Sequence, residues 1–96
     1  MKRFVILHQG YVAPTEEIRN AWMAWFAAIG DSIVDGGSPF SVGRELTKNG
    51  WRELPLGIDS YTGYTIVEAE DIDAATELLS GYPMITGARI YEAAPM

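Results

Sequence analysis

The chain's one histidine, His8, follows directly on the apolar run Phe4–Leu7. An imidazole titrates near neutral pH and can give or take a proton, so His8 suits general acid–base work. Asp35, in the sequence Asp35-Gly36-Gly37, can orient a histidine or act as a second proton carrier. Tyr61 and Tyr64 can donate hydrogen bonds to a developing oxyanion. Trp22 and Phe26, with Trp25 between them, can line a pocket for an aromatic ligand. Each candidate has a plainer alternative. A histidine can simply end a strand and bond a backbone group. Asp35 can satisfy the amides of the Gly36-Gly37 loop. Tyrosines are often core residues with a wet hydroxyl, and aromatic side chains on a helix often do no more than pack on a sheet.

Several chemistries are excluded. With no cysteine in the chain, there is no disulfide, thiolate nucleophile or cysteine-based metal site. One histidine and scattered carboxylates offer no metal-ligand spacing. No GxGxxG or P-loop pattern occurs, and Gly36-Gly37-Ser38 is too short and wrongly placed for a phosphate loop. Nor is there a nucleophile elbow. The expectation is chemistry without metal or cofactor. A net charge of −6 and a pI near 4.5 disfavour nucleic acid and anionic membrane surfaces as partners. The run Phe4–Leu7 is too short for a signal peptide or membrane span. A cytoplasmic location is expected, and the absence of cysteine fits it.

The elements that must position these residues can be read from the pattern. Arg3–Gln9 alternates Phe4, Ile6 and His8 on one face with Val5 and Leu7 on the other, as a strand does. Thr15 is a helix N-cap, with Glu16 and Glu17 in the first turn. Ile18, Trp22, Trp25 and Ile29 make one helical stripe, widened by Met23 and Phe26. Gly30 ends this helix in the C′ role. Ser32–Asp35 is a second strand. Residues 40–59 form an irregular, flap-like insertion, in which Asn49-Gly50 marks a hairpin between Ser41–Thr47 and Trp51–Leu54. Arg44, Lys48 and Arg52 hold three of the seven basic residues. They can close over an anionic substrate or lie as solvated charges beside Glu45 and Glu53. Tyr61–Ala69 is a third strand. Asp71 caps a second helix whose inner stripe is Ile72, Ala75 and Leu79, with Leu78 broadening it, and Gly81 and Pro83 stop it. Ala88–Ala93 is the fourth strand.

The order β-α-β-β-α-β over a single domain, residues 1–96, is the α+β ferredoxin-like sandwich. Right-handed crossovers give a four-stranded antiparallel sheet in the order four, one, three, two, with two helices on one face. Leaving the other face bare would expose a larger apolar patch than soluble monomers tolerate. A homodimer packed sheet on sheet, a dimeric α/β barrel, removes the problem. Strand directions bring His8, Asp35, Tyr61, Tyr64, Tyr82 and Met84 to one end of the sheet. The third strand separates His8 from Asp35 by about 10 Å of backbone, so a water or substrate is expected to bridge them.

The segments Met23-Ala24-Trp25-Phe26, Val34-Asp35-Gly36-Gly37, Gly63-Tyr64-Thr65-Ile66-Val67-Glu68-Ala69 and Tyr91-Glu92-Ala93-Ala94-Pro95-Met96 resemble the YCII-related family of dimeric α/β proteins over the full length of the chain. The resemblance implies a ferredoxin-like subunit, homodimerisation, and a pocket for which a histidine–aspartate pair has been suggested as catalytic. Many relatives carry a histidine in the first helix or after the second. Here those places hold Trp22 and Trp25, and Gly81-Tyr82-Pro83-Met84. The family pair does not carry over whole; Asp35 does, in its Asp-Gly-Gly setting.

The function expected is cofactor-free acid–base chemistry, an elimination or isomerisation, on a small organic acid or aromatic. His8 is the proton shuttle in this reading, with Asp35 and Tyr64 supporting it. The alternative is a non-catalytic homodimer that binds or senses a small hydrophobic ligand. A cofactor-less monooxygenase on the same barrel rests on fold analogy alone.

Overall fold

The computed structural model describes residues 1–95. Met96, the last residue of the C-terminal segment quoted above, lies outside the described residues. The elements are strand β1 (Lys2–Gln9), helix α1 (Glu16–Ile29), β2 (Ile33–Asp35), β3 (Arg44–Thr47), β4 (Gly50–Glu53), β5 (Tyr61–Ala69), α2 (Ile72–Glu77) and β6 (Gly87–Glu92). The main sheet runs β2-β5-β1-β6, and every neighbouring pair is antiparallel. With two helices this is an α+β architecture consistent with a ferredoxin-like fold. Strands β3 and β4 pair separately, as a hairpin arm.

Strand alternation decides which residues meet the helices. Phe4, Ile6 and His8 stand opposite Val67, Thr65 and Gly63 of β5, and this face is the buried one. Both helices pack there. Trp25 and Ile29 of α1 and Ala75 of α2 join Phe4, Ile6, Val67 and Ala69 in one core cluster. Each large apolar side chain so buried contributes roughly 1.5–3 kcal/mol. Val5, Leu7, Tyr64 and Ile66 point to the open face and are half-buried, while Tyr91 there is 52% exposed. The molecule is a slab of 41 × 40 × 18 Å.

The helix starts follow the expected chemistry. The Thr15 hydroxyl accepts the Ile18 amide, and the Asp71 carboxylate accepts the Ala74 amide, so each cap satisfies a free donor of the first turn. The ends differ from expectation. Gly30 is right-handed, with φ −45°, and opens a 3-10 turn, Gly30–Ser32. It does not take the left-handed C′ conformation. Helix α2 spans six residues and tightens into i→i+3 bonds at Leu78, Leu79 and Ser80. Its packing stripe shifts accordingly. Ala74, Ala75, Leu78 and Leu79 meet the core, and Ile72, expected inside, is 46% exposed.

The hairpin arm also turns one residue earlier than Asn49-Gly50 suggests. Thr47 pairs with Gly50, so Lys48-Asn49 is the turn. Gly50, with φ +128°, opens the returning strand. Two of the arm's three basic side chains, Arg52 and Arg44, are occupied within it. Arg52 Nε lies 2.7 Å from Glu45 Oε1, and the Arg44 guanidinium lies 4.0 Å above the Trp51 ring. No described helix is long and apolar enough to cross a membrane.

Candidate functional site

His8 reaches the helix side of the sheet near the end of β1, where β5 begins. Its side chain is buried among aromatic rings. Trp22 meets it edge-on with ring centroids 4.9 Å apart. Trp25 does the same at 6.1 Å, and Tyr82 stacks at 5.5 Å. Trp25 is itself fixed by its indole N–H, which donates to the Leu78 carbonyl at 2.8 Å, one of the orphan acceptors at the end of α2. Gly63, opposite His8, lets the Ser38 carbonyl approach β5 closely. A Cβ there would stand 3.5 Å from His8 Cδ2 and 3.0 Å from the Ser38 carbonyl oxygen.

Both imidazole nitrogens are hydrogen-bonded to side chains rather than to backbone. Nδ1 lies 2.6 Å from the Tyr82 hydroxyl and Nε2 lies 2.9 Å from Thr65 Oγ1. The Thr65 hydroxyl in turn donates to the Gly36 carbonyl at 3.1 Å. A carbonyl only accepts and a hydroxyl has one hydrogen, so the direction of the string follows. Nε2–H donates to Thr65, and the Tyr82 O–H donates to Nδ1. In a neutral ring this is the Nε2–H tautomer. Burial pushes the His8 pKa down to about 4, because the charged form is the one desolvation penalises. Burial likewise raises Tyr82 well above the usual phenol value, which keeps its donating proton in place.

A cavity of about 460 Å³ opens beside this string, within the ordinary range for small-molecule sites. His8 and Thr65 are among its lining residues, and Trp22, Phe26, Phe40 and Ile18 give it apolar walls. The wall opposite α1 is the segment after β2. It runs on beside β5, where the Phe40 amide donates to the Thr62 carbonyl at 2.8 Å. Gly37 makes this approach possible. Its φ is +80°, and a Cβ there would sit 1.6 Å from the Tyr64 carbonyl oxygen, which no side chain can do.

The expected residues divide between the two faces. His8, Trp22 and Phe26 come together. Asp35 does not join them. Ile33 pairs with Val67, but Asp35 pairs with Ile66, because the register shifts between them. A regular strand would put Asp35 on Ile33's face, toward His8. The bulge turns it to the other face, so His8 and Asp35 lie on opposite faces of the sheet. Asp35 instead accepts the Gly37 amide at 2.8 Å and the Tyr64 hydroxyl at 3.4 Å. Tyr64 borders the cavity, yet its hydroxyl is turned to Asp35 rather than to the imidazole. Tyr61 lies under the Arg89 guanidinium at 5.5 Å and is not among the described residues lining the cavity. The basic residues of the hairpin arm do not line it either.

The contacts that sequence reasoning missed are Thr65 and Tyr82. Thr65 had a signal: it is the one hydroxyl in the inward row Gly63, Thr65, Val67, Ala69. Tyr82 was placed at the correct end of the sheet by topology, but its reach to Nδ1 depends on the turns after α2. Among the described residues, no three His, Asp or Glu side chains gather as a metal site would need.

No family model matches the chain, and no curated protein matches it in sequence. A solved structure does match. The 5-chloro-2-hydroxyhydroquinone dehydrochlorinase of Burkholderia phenoliruptrix AC1100, in complex with 2,5-dihydroxybenzoquinone, superposes with a TM-score of 0.53 at 16% identity, over 93% of this chain and 90% of that one. At that identity the likeness is one of fold.

Proposed function

We propose that the protein is a YCII-like homodimer performing cofactor-free acid–base chemistry, an elimination or isomerisation, on a small aromatic or quinonoid molecule held beside His8. The observation that carries this reading is a buried, neutral imidazole at the wall of an aromatic cavity, tied to Thr65, which borders the same space. A fold neighbour named as a dehydrochlorinase supports the reaction class.

In such an elimination, a base takes a proton from the substrate, the released electron pair forms a new double bond, and halide leaves with its own pair. For His8 to be the base, Nε2 must be free. The string reaches that state by reversing: Nδ1–H then donates to Tyr82, and the Thr65 hydroxyl donates to Nε2. Thr65 can then take the substrate's proton while passing its own to the imidazole. Reversal forfeits the bond to the Gly36 carbonyl, at a cost of about 0.5–1.5 kcal/mol. Asp35 acts at one remove, as a positioning residue. It holds Gly37, and with it the Gly36 carbonyl that fixes Thr65.

The test is turnover of chlorinated and unchlorinated hydroquinones, read as halide release and product absorbance, with wild type and His8→Gln. Loss of about 10²–10⁴ in rate in the variant is expected for a proton-transfer residue. Equal rates would remove His8 from the chemistry. The second reading is a non-catalytic ligand-binding dimer, favoured by one observation: both ring nitrogens already have partners inside the protein. Ligand-induced thermal stabilisation that survives His8→Gln, with no turnover of any compound, would favour it.

A further inference from the structure

We propose that Arg19 makes this cavity a site for monocyclic aromatic anions, a carboxylate or acidic phenol whose oxyanion sits at the mouth while its ring lies against Trp22 and Phe26. The inference rests on the reading that the cavity holds a small aromatic molecule, and it specifies which kind.

Charge balance carries the case. Among the described residues that line the cavity, Arg19 is the one with a formal charge at neutral pH, and no carboxylate lines it. His8 adds nothing, since burial keeps it neutral. The site is thus locally +1 on a chain of net charge −6. An anion meets repulsion from the molecule as a whole and one cation at the entrance. That guanidinium is uncommitted: the ion pairs within 4.0 Å among the described residues join Lys2 to Glu92 and Arg52 to Glu45, and neither involves Arg19. The planar fork of an arginine matches a carboxylate or other resonance-stabilised oxyanion better than a lysine's point charge does.

Helix geometry gives the size. Arg19, Trp22 and Phe26 follow at i, i+3 and i+7 on α1, one above the other on one side of the helix. Seven residues span about 10 Å along the axis, which accommodates one ring with one acidic substituent. The polar end of the ligand is at Arg19, and the ring extends along the apolar wall toward Trp22 and Phe26.

The probe pair is benzoate and benzamide, which share shape and differ in charge. Binding is measured by calorimetry near neutral pH on wild type, Arg19→Gln and Arg19→Lys. Arg19 is exposed, so its replacement should leave the fold intact. The expected result is that wild type prefers benzoate by about tenfold or more, that Arg19→Gln abolishes the preference while still binding benzamide, and that Arg19→Lys keeps part of it. Equal binding of the two by wild type, or a preference unchanged in Arg19→Gln, would overturn the assignment of Arg19 and leave the aromatic cavity standing. Binding of neither probe would overturn both.

Discussion

His8 owes its properties to placement rather than to a charged partner. Its pKa of about 4 in the folded chain lies below the ordinary histidine value of 6.5, and burial is the cause. Between those two values the unfolded chain holds a proton that the native one does not. Stability contributed by His8 is therefore complete above the unfolded pKa and is lost as pH falls through 6.5 toward 4. The gap corresponds to on the order of 3 kcal/mol at full protonation. Tyr82 works in the opposite direction and elsewhere on the scale. Its raised pKa means that its contribution is complete at neutral pH and declines only above the ordinary phenol value. The same burial that tunes His8 makes it a poor base in the empty site, since general bases work best with a pKa near the working pH.

At the scale of elements, β2 and the turn after it matter most. Asp35 holds the Gly37 amide from the sheet's open side, and the neighbouring Gly36 carbonyl accepts from Thr65 on the helix side. One turn thus joins the two faces. Asp35→Ala frees the Gly37 amide, so the turn should loosen and stability should fall by about 0.5–1.5 kcal/mol. Asp35→Asn keeps an acceptor oxygen and should restore most of it. A denaturant midpoint for each variant checks this, and equal losses in both would show that charge, not acceptance of the amide, is what Asp35 supplies. Most of this architecture was legible in the sequence: the caps at Thr15 and Asp71, the inward row ending in His8, and strand β5 from Tyr61 to Ala69. The bulge at β2 was not, since a one-residue register shift leaves no mark in a three-residue strand. That one shift explains why His8 and Asp35 were expected on a common path and lie on opposite faces. The turns after α2 were illegible for a similar reason. Their i→i+3 bonds depend on how Tyr82 and Trp25 pack, not on local pattern.

Viewed whole, the molecule is a thin slab with one covered face. Leu7, Val5 and Ile66 remain half-exposed beneath the sheet, and Tyr91 more so. The hairpin arm carries Leu46 and Trp51 at 75% and 58% exposure. An apolar row left half-exposed on the sheet's open face favours association, and pairing two open faces would cover it. Sedimentation equilibrium should give twice the chain mass of 10.6 kDa. Replacing Leu7 and Ile66 by lysine should shift the protein toward monomer while leaving the His8 side of the sheet folded. A stable monomer in the unaltered protein would show that the open face tolerates water.

All three scales meet at a single ring, and the chain's one histidine makes that ring easy to observe. Proton and nitrogen NMR of His8 across a pH titration reports its tautomer, its pKa and its partners in one experiment. The expected result is a neutral Nε2–H imidazole that stays unprotonated until about pH 4. An Nδ1–H ring in the free protein, or an ordinary titration near 6.5, would contradict the buried string from Tyr82 through His8 to Thr65.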